Sequence, residues 1–216
     1  MTAADGPLTA EQILGAAEDA LRRYGPAKAT VVDVARSLKV SHGSVYRHFG
    51  SKKALRDAVT ARWLARIAGS LDIVADTATP APERLHAWLR ELIDAKRARA
   101  AEDPELFETY MILVTEAAEV TAAHVDELVA QLTRVVADGV ARGELVSDDP
   151  AVTARAIFDA TGRFHNPAHR AEWSSPTIDA EFEAVWALLL RGLTKGLKKA
   201  AKARAAETPT PTPAPR

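Results

Sequence analysis

The 216-residue sequence contains no cysteine, which excludes disulfide bonds and thiolate chemistry. No apolar run approaches the roughly 18 residues that a membrane-spanning helix needs, and the first residues lack the apolar core of a signal peptide. The sequence also has no glycine-rich phosphate loop and no convincing metal-ligand spacing. These absences predict a cytoplasmic protein without a membrane partner, a cofactor or a metal.

Glycine and aromatic residues are scarce, whereas alanine, leucine, arginine and glutamate are abundant. This composition favours helices, and no segment shows the alternation of apolar and polar residues that indicates a strand. Gly25-Pro26 should end the first helix, and the stretch 166–177, with its two prolines, is predicted to be a loop. The apolar spacing predicts helices over 9–24, 31–38, 43–49, 52–75, 83–101, 104–115, 119–142, 149–164 and 178–200. We therefore expect an all-α fold.

The formal net charge of −1 is unevenly distributed along the chain. Residues 1–60 contain nine lysines and arginines against six acidic residues, which leaves +3, so the remainder carries −4. A weakly basic N-terminal segment on an acidic body is typical of a protein whose contact with nucleic acid is confined to one end.

The N-terminal segment contains two short helices separated by a three-residue turn. Thr30 and Asp33 have the spacing of a capping box at the start of the first helix. Ser41 is suited to cap the second helix. In that second helix Val45 and Phe49 lie on one face, so the polar residues are left on the other. The pattern predicts a helix-turn-helix.

The outer face of the second helix exposes more polar and aromatic side chains than stability requires. Arginine and histidine can reach guanine acceptors in a major groove, serine or tyrosine can bind phosphates, and glycine permits close approach to a duplex. From the spacing alone, an ordinary helical hairpin with a solvated face is the alternative. The outer residues are His42, Gly43, Ser44, Tyr46, Arg47 and His48.

The run Val40-Ser-His-Gly-Ser-Val-Tyr-Arg-His-Phe-Gly-Ser-Lys-Lys-Ala-Leu-Arg-Asp-Ala-Val59 resembles the DNA-binding signature of TetR-type transcriptional regulators. The preceding Asp-Val-Ala-x-x-Leu also matches, and the close resemblance covers residues 10–65. Beyond them only the length and the helical character are similar. Lys53 stands where many members have glutamate, a departure that adds positive charge.

The resemblance implies roles for individual residues and a domain organisation. Thr30, Tyr46, His48 and Lys52 are expected to contact phosphates, and His42, Gly43, Ser44 and Arg47 to face the groove. Ser41, as the helix cap, completes the predicted DNA-binding set. We expect a helix-turn-helix domain over 1–52 and a helical regulatory, ligand-binding and dimerisation domain over 53–203. The proline-rich end, 204–216, should be a disordered tail.

In TetR-like proteins the last two long helices of each subunit form a four-helix dimer interface. Helices 149–164 and 178–200 are the counterparts here, and Leu197 lies on the apolar stripe of the second. The alternative is that both stripes face only the core of their own chain. The predicted interface residues are Val152, Ala156, Phe182, Trp186, Leu189 and Leu193.

The resemblance also implies a cavity for a small apolar or aromatic effector. A stripe of bulky residues could line it, although such a stripe is also typical of a plain core. His165 and His169 are four residues apart, but Pro167 between them disrupts a shared helical face, so we favour a loop that caps the preceding helix over a metal site. The predicted lining residues are Trp88, Phe107, Tyr110, Met111, Val114, His124, Phe158, Phe164 and His165.

These features predict a homodimeric repressor that leaves a palindromic DNA operator when its effector binds. Its two recognition helices would lie about 34–36 Å apart, to read successive major grooves. Three alternatives stay open at this point: an activator, a small helical enzyme that uses His165 and His169, and a DNA-architectural or adaptor module without a ligand.

Overall fold

The computed structural model describes residues 7–195, and every regular element in that range is helical. Leu197 and the predicted tail over 204–216 lie outside the described residues. The α-helices are α1 (Ala10–Lys28), α2 (Val31–Ser37), α3 (His42–His48), α4 (Lys52–Ala75), α5 (Ala81–Glu102), α6 (Pro104–Glu116), α7 (Ala118–Ala141), α8 (Pro150–Ala160), α9 (Gly162–His165) and α10 (Ile178–Thr194). A 3₁₀ helix (Pro167–Glu172) lies between α9 and α10. The predicted all-α class is confirmed.

The described residues form two compact units. Unit 1 contains residues 7–71 and 91–128, and unit 2 contains residues 72–90 and 129–195. Helices α4, α5 and α7 contribute residues to both units. These units differ from the predicted domains, 1–52 and 53–203, which were assigned by function. The predicted domain boundary between residues 52 and 53 stays a prediction. Within residues 7–195 no helix combines the length and the apolar character that crossing a membrane requires.

Helix α1 begins where its sequence provides a cap. The hydroxyl of Thr9 accepts a hydrogen bond from the Gln12 backbone N–H (3.2 Å), and the Gln12 side chain accepts one from the Thr9 N–H (2.9 Å). The predicted stop at Gly25-Pro26 is found as a kink, because Gly25 has a φ of 72° and residues 26–28 add one further helical turn. Glycine adopts this left-handed conformation without the steric cost that a Cβ imposes.

Ion pairs and apolar packing hold α1 against α4 within unit 1. The Arg62 guanidinium lies 3.0 Å from the Glu11 carboxylate, and the Arg66 guanidinium lies 3.0 Å from that of Glu18. Ile13 is fully buried beneath them. Helix α1 also packs against α2 and α6, so it joins the helix-turn-helix to the helices that follow it in the same unit.

The predicted helix 149–164 is two helices. Helix α8 ends at Ala160, and α9 begins at Gly162. The hydroxyl of Thr161, at the break, donates a hydrogen bond to the Ile157 carbonyl (2.9 Å). That bond competes with the backbone pattern of a continuous helix, which apolar spacing alone does not reveal.

The prediction of a plain loop over 166–177 is wrong for its first half, where the 3₁₀ helix lies. The Asn166 side chain caps it by accepting a hydrogen bond from the Ala168 N–H (3.0 Å). Pro167 occupies the first helical position, where its missing N–H and fixed φ are tolerated. A helix this short has too few turns to produce a periodic apolar pattern.

Candidate DNA interface and ligand site

The start of α2 is fixed by the capping box that the sequence predicts. The Thr30 hydroxyl donates to the Asp33 carboxylate (2.6 Å) and accepts from the Asp33 N–H (3.2 Å). The same carboxylate accepts from the Thr30 N–H (3.0 Å). The hydrogen bond from the Thr30 hydroxyl is the main cause that lowers the pKa of Asp33. This shift favours the ionised form of the Asp33 carboxylate. Thr30 itself remains exposed.

The turn between α2 and α3 is closed by backbone hydrogen bonds. Lys39 has a φ of 57°, the single positive φ among the non-glycine residues of the described range. Its N–H donates to the Arg36 carbonyl (3.1 Å), and the Val40 N–H donates to that of Ala35 (3.0 Å). A left-handed residue followed by such a bond ends a helix sharply, which sets the direction of α3.

Helix α3 is anchored on one side and organised on the other. Val45 is 1% exposed and holds the helix against its unit. The Ser41 hydroxyl accepts a hydrogen bond from the Ser44 N–H (3.1 Å), which caps the helix. The Ser44 hydroxyl in turn accepts one from the Arg47 guanidinium (3.1 Å). The side chain of Arg47 is thereby held along the outer face.

The remaining predicted DNA-binding residues of α3 point away from the unit. The rings of His42 and Tyr46 are in edge contact, with centroids 6.4 Å apart, and both residues are exposed, as is His48. A Cβ built on Gly43 would meet only the Ser41 hydroxyl, at 3.7 Å. The packing of the chain itself therefore does not require glycine at this position.

Two lysines at the start of α4 differ in their surroundings. The Lys53 ammonium lies 2.6 Å from the Asp57 carboxylate, and this hydrogen bond is the main cause that raises the pKa of Lys53. Lys52 is exposed and makes no ion pair with any residue of the described range. Of the two, Lys52 is the lysine whose charge is available to another molecule.

Two of the predicted ligand residues of unit 1 line a cleft of about 230 Å³, named here the arginine cleft. Phe107 and Tyr110 line it, and the Tyr110 ring stacks on Trp63 with centroids 4.4 Å apart and planes at 8°. Burial raises the pKa of Tyr110 to about 12. Met111 and Val114 are half-buried on the same helix. The lining residues are Arg22, Trp63, Arg66, Arg99, Glu102, Asp103, Leu106, Phe107 and Tyr110.

His124 on α7 is buried, at 7% exposure, and neither ring nitrogen has a hydrogen-bond partner in the described part of the chain. Burial, together with the nearby charge of Lys96, lowers the pKa of His124 to about 4. A buried imidazole without partners is unusual, because buried polar groups are nearly always hydrogen-bonded.

The four predicted ligand residues of unit 2 are part of its core. The Trp88 indole N–H donates to the Gln131 side chain (2.9 Å), and Phe164 packs edge-on against Phe182 at 5.5 Å. His165 donates to the Phe158 carbonyl (3.2 Å), and their rings are 4.6 Å apart. Each of these residues thus has a structural role, and their contact with a ligand stays a prediction.

The predicted dimer residues divide into two groups within unit 2. Phe182, Trp186 and Leu193 are buried by their own chain, and Leu189 is half-buried. These residues pack within their own chain, and their part in a dimer interface stays a prediction. Val152, at 66% exposure, and Ala156 lie on the surface.

Sequence reasoning missed several residues of these surfaces. Leu188 on α10 is 64% exposed, but it lies off the apolar stripe and gives no periodic signal. The arginines of the cleft come from three separate helices, so no local motif marks them. For His165 and His169, the described residues contain no group of three potential metal ligands.

Two family models match this chain. Residues 13–59 match the model of bacterial regulatory proteins of the tetR family, and residues 81–186 match a tetracyclin repressor-like C-terminal domain. The chain belongs to the TetR family of bacterial regulators. The first match contains α2 and α3, so the helix-turn-helix of the TetR fold is the pair described above, and the resemblance seen in the sequence is confirmed.

A curated relative supports the TetR-family assignment over a short stretch of this chain. An HTH-type transcriptional repressor of Mycobacterium tuberculosis is 48% identical over 50 residues, which are 23% of this chain and 27% of that protein. The match therefore covers about a quarter of the curated relative.

Solved structures share the fold over most of the chain. SmeT, the repressor of the Stenotrophomonas maltophilia multidrug efflux pump SmeDEF, has a TM-score of 0.61 and 20% identity over 88% of this chain and 93% of its own. FadR from Bacillus subtilis, in complex with stearoyl-CoA, has a TM-score of 0.59 and 17% identity over 86% of this chain and 100% of its own. At such identities the likeness concerns the fold alone.

Proposed function

We propose that this TetR-family regulator is a homodimeric repressor that binds a palindromic operator and releases it when a small effector binds. The observation that carries the proposal is the organisation of α3. Val45 and the Ser41 cap fix the helix, while six polar, aromatic or glycine residues face away from the unit. That face serves recognition rather than stability.

Within this proposal the residues of the interface have two roles. Arg47 and His42 read base edges in the major groove, because guanidinium and imidazole groups match guanine acceptors. Gly43 lets the backbone approach the duplex, since its own unit does not need glycine there. The phosphate contacts come from Thr30, Tyr46, His48 and Lys52, and Ser41 and Ser44 position the helix.

The dimer surface is proposed on unit 2, around the exposed apolar residues Val152 and Leu188 together with Ala156. Exposed aliphatic side chains favour association because their burial removes apolar area from water. The other predicted interface residues, Phe182, Trp186, Leu189 and Leu193, are proposed to contribute to the same interface. A single helix-turn-helix binds DNA weakly, so dimerisation also follows from the need for two recognition helices.

The effector is proposed to be a small molecule with an apolar or aromatic body. Phe107, Tyr110, Met111, Val114 and His124 would contact it in unit 1. The structurally similar FadR was solved with stearoyl-CoA. Because the stearoyl chain of that ligand is apolar, this structure supports an effector with an apolar body. Trp88, Phe158, Phe164 and His165 stay predicted ligand residues, and all four lie in the core of unit 2. We further propose that the chain acts in the cytoplasm, as a regulator rather than an enzyme. Residues 1–52 would form the DNA-binding domain, and residues 53–203 the ligand-binding and dimerisation domain.

The proposal is tested by fluorescence anisotropy with duplex DNA from the region upstream of the gene. Tyr46→Ala should weaken binding to specific and non-specific duplexes alike, because a phosphate contact carries no sequence information. Arg47→Ala should lose about 1–3 kcal/mol of discrimination against mismatched bases. Tyr24→Ala, which alters an exposed tyrosine on α1, is the matched control. Full operator affinity in Tyr46→Ala would mean that α3 does not lie in the groove.

A further inference from the structure

The arginine cleft has features of a site for a charged ligand. We propose that it binds an anion carried on a planar apolar group, with Arg99 as the principal donor and the Trp63–Tyr110 stack as the apolar wall. This inference rests on the proposed function, since it names the chemical class of the effector. It also goes beyond that function, because the sequence predicted only an apolar or aromatic ligand.

Arg99 differs from the other two arginines of the cleft. Its Nη1 atom is buried and has no hydrogen-bond partner among residues 7–195, and the residue makes no ion pair in that range. Arg22 lies 3.3 Å from Asp19, and the Arg66 guanidinium lies 3.0 Å from the Glu18 carboxylate. Arg22 and Arg66 therefore have acidic partners in the chain, whereas the Arg99 guanidinium has none among the described residues and can bind a ligand.

A buried guanidinium N–H without an acceptor costs free energy, because water no longer solvates it and no protein group replaces the water. The Glu102 carboxylate lines the same cleft but lies outside ion-pair distance of Arg99. An anionic oxygen in the cleft would supply the missing acceptor. A planar carboxylate suits this role because guanidinium N–H groups pair with it in a fixed geometry.

The electrostatics of α5 support an anion rather than a neutral ligand. Lys96 lies three residues before Arg99, one turn earlier on the helix. Burial lowers the pKa of Lys96 to about 8, and the charge of Arg99 adds to the effect. No carboxylate is among the causes that shift the pKa of Lys96. The lining of the cleft itself contains three arginines and the two acidic residues Glu102 and Asp103, and an anion would reduce this excess of positive charge.

The apolar wall indicates the rest of the ligand. Trp63 and Tyr110 stack in parallel, and the Arg99 guanidinium lies 6.0 Å from the Trp63 ring. The Tyr110 hydroxyl has no hydrogen-bond partner in the described range and is available to a ligand. The cleft volume, about 230 Å³, is below the ~300–1,000 Å³ of sites for drug-sized molecules. A monocyclic or bicyclic aromatic acid therefore fits better than a larger molecule.

The effect of a ligand bound in the cleft would be transmitted to the helix-turn-helix through Arg22. This residue is on α1, and its guanidinium also lies 3.7 Å from Asp103, the cap of α6. A ligand anion would compete with Asp103 for Arg22 and would alter the packing of α1 against α6. Because α1 also packs on α2, the change reaches the helix-turn-helix within unit 1.

The test uses the full chain and two probes, 2-naphthoate and the neutral 2-naphthylmethanol, in isothermal titration calorimetry. The wild-type protein should bind naphthoate about tenfold more tightly than the alcohol, because a hydrogen bond to a charged group is worth at least that factor. Arg99→Gln should remove this preference and weaken naphthoate binding about tenfold. Arg23→Gln, which makes the same charge change on α1 outside the cleft, should bind naphthoate as the wild type does.

Arg22→Gln provides a second variant, and it should weaken naphthoate binding even if Arg99→Gln fails to give the helical circular dichroism spectrum of the wild type. Absence of naphthoate binding, or equal binding by the wild type and both cleft variants, would overturn the inference. Operator binding by the wild-type protein is measured separately. A protein that binds the operator but not naphthoate loses this inference and keeps the proposed repressor function, whereas one that binds naphthoate but no operator keeps the cleft and loses that function.

Discussion

Buried polar groups at the predicted ligand residues differ between the two units. In unit 2 the Trp88 indole donates to Gln131, and His165 donates to the Phe158 carbonyl. In unit 1 both nitrogens of the His124 ring are buried without hydrogen-bond partners among the described residues, and so is the Nη1 atom of Arg99, which the sequence did not predict as a ligand residue. Burial and aromatic character are common to both sets, so they do not separate core from ligand site. Among the predicted ligand residues, the presence or absence of a hydrogen-bond partner distinguishes His124 from Trp88 and His165.

The largest expected effect is a loss of stability in mild acid that depends on His124. Its pKa is about 4 in the folded protein, against an ordinary value of 6.5. The unfolded chain therefore takes up a proton that the folded chain rejects, and stability that is complete above pH 6.5 is lost as the pH falls toward 4. Urea unfolding at pH 7 and pH 4.5 should show a loss of about 2–3 kcal/mol from this group.

The matched control for the acid effect is His124→Leu, which cannot take up the proton. Its stability should fall less than that of the wild type between the same two pH values. If both proteins lose the same free energy, His124 is accessible to protons in the folded state and the contrast between the units is wrong.

A smaller effect sharpens the contrast at neutral pH. Gln131→Leu removes the acceptor of the buried Trp88 indole N–H, which should cost about 1–3 kcal/mol of unfolding free energy. His124→Leu should leave stability unchanged or raise it, because it removes two buried nitrogens without partners. Both values come from urea unfolding at pH 7.5. Destabilisation by His124→Leu as large as that by Gln131→Leu would show that His124 is as well satisfied as the groups of unit 2.

The smallest effect concerns an exposed polar group with a partner, the cap of α2. Thr30→Ala removes the hydroxyl that bonds to Asp33 and should cost about 1 kcal/mol. Thr30→Ser keeps that hydroxyl and should retain most of the stability. Thermal unfolding followed by circular dichroism measures both variants. Equal losses in the two variants would assign the effect to the methyl group instead of the cap.

The sequence predicted the helix-turn-helix closely because its determinants are local. The caps Thr30 and Ser41 lie within three residues of the groups they bond, and the signature continues without interruption into α4. The kink at Gly25 and the break at Thr161 were harder to predict. In both places a helix resumes directly afterwards, so the apolar periodicity carries across the interruption.

The proposed ligand and dimer surfaces were only partly predictable because they depend on contacts between residues far apart in the chain. Trp63 and Tyr110 stack across 47 positions of sequence, and no spacing rule links them. Helical periodicity identified the stripe that contains Phe182 and Trp186, but it does not specify what covers an apolar face. In this chain their own unit covers both residues, and the exposed Leu188 lies outside the stripe.

The hydrogen bonds described for the α2–α3 pair, from the Thr30 cap to the bond from the Phe49 N–H to the Val45 carbonyl, lie within residues 30–49. We therefore expect the pair to move as a rigid unit. A signal transmitted through α1 would then change the orientation of the outer face of α3 without changing its shape. Since Ser44 already restrains the Arg47 side chain, docking on DNA would also sacrifice less rotational freedom than a disordered arginine would.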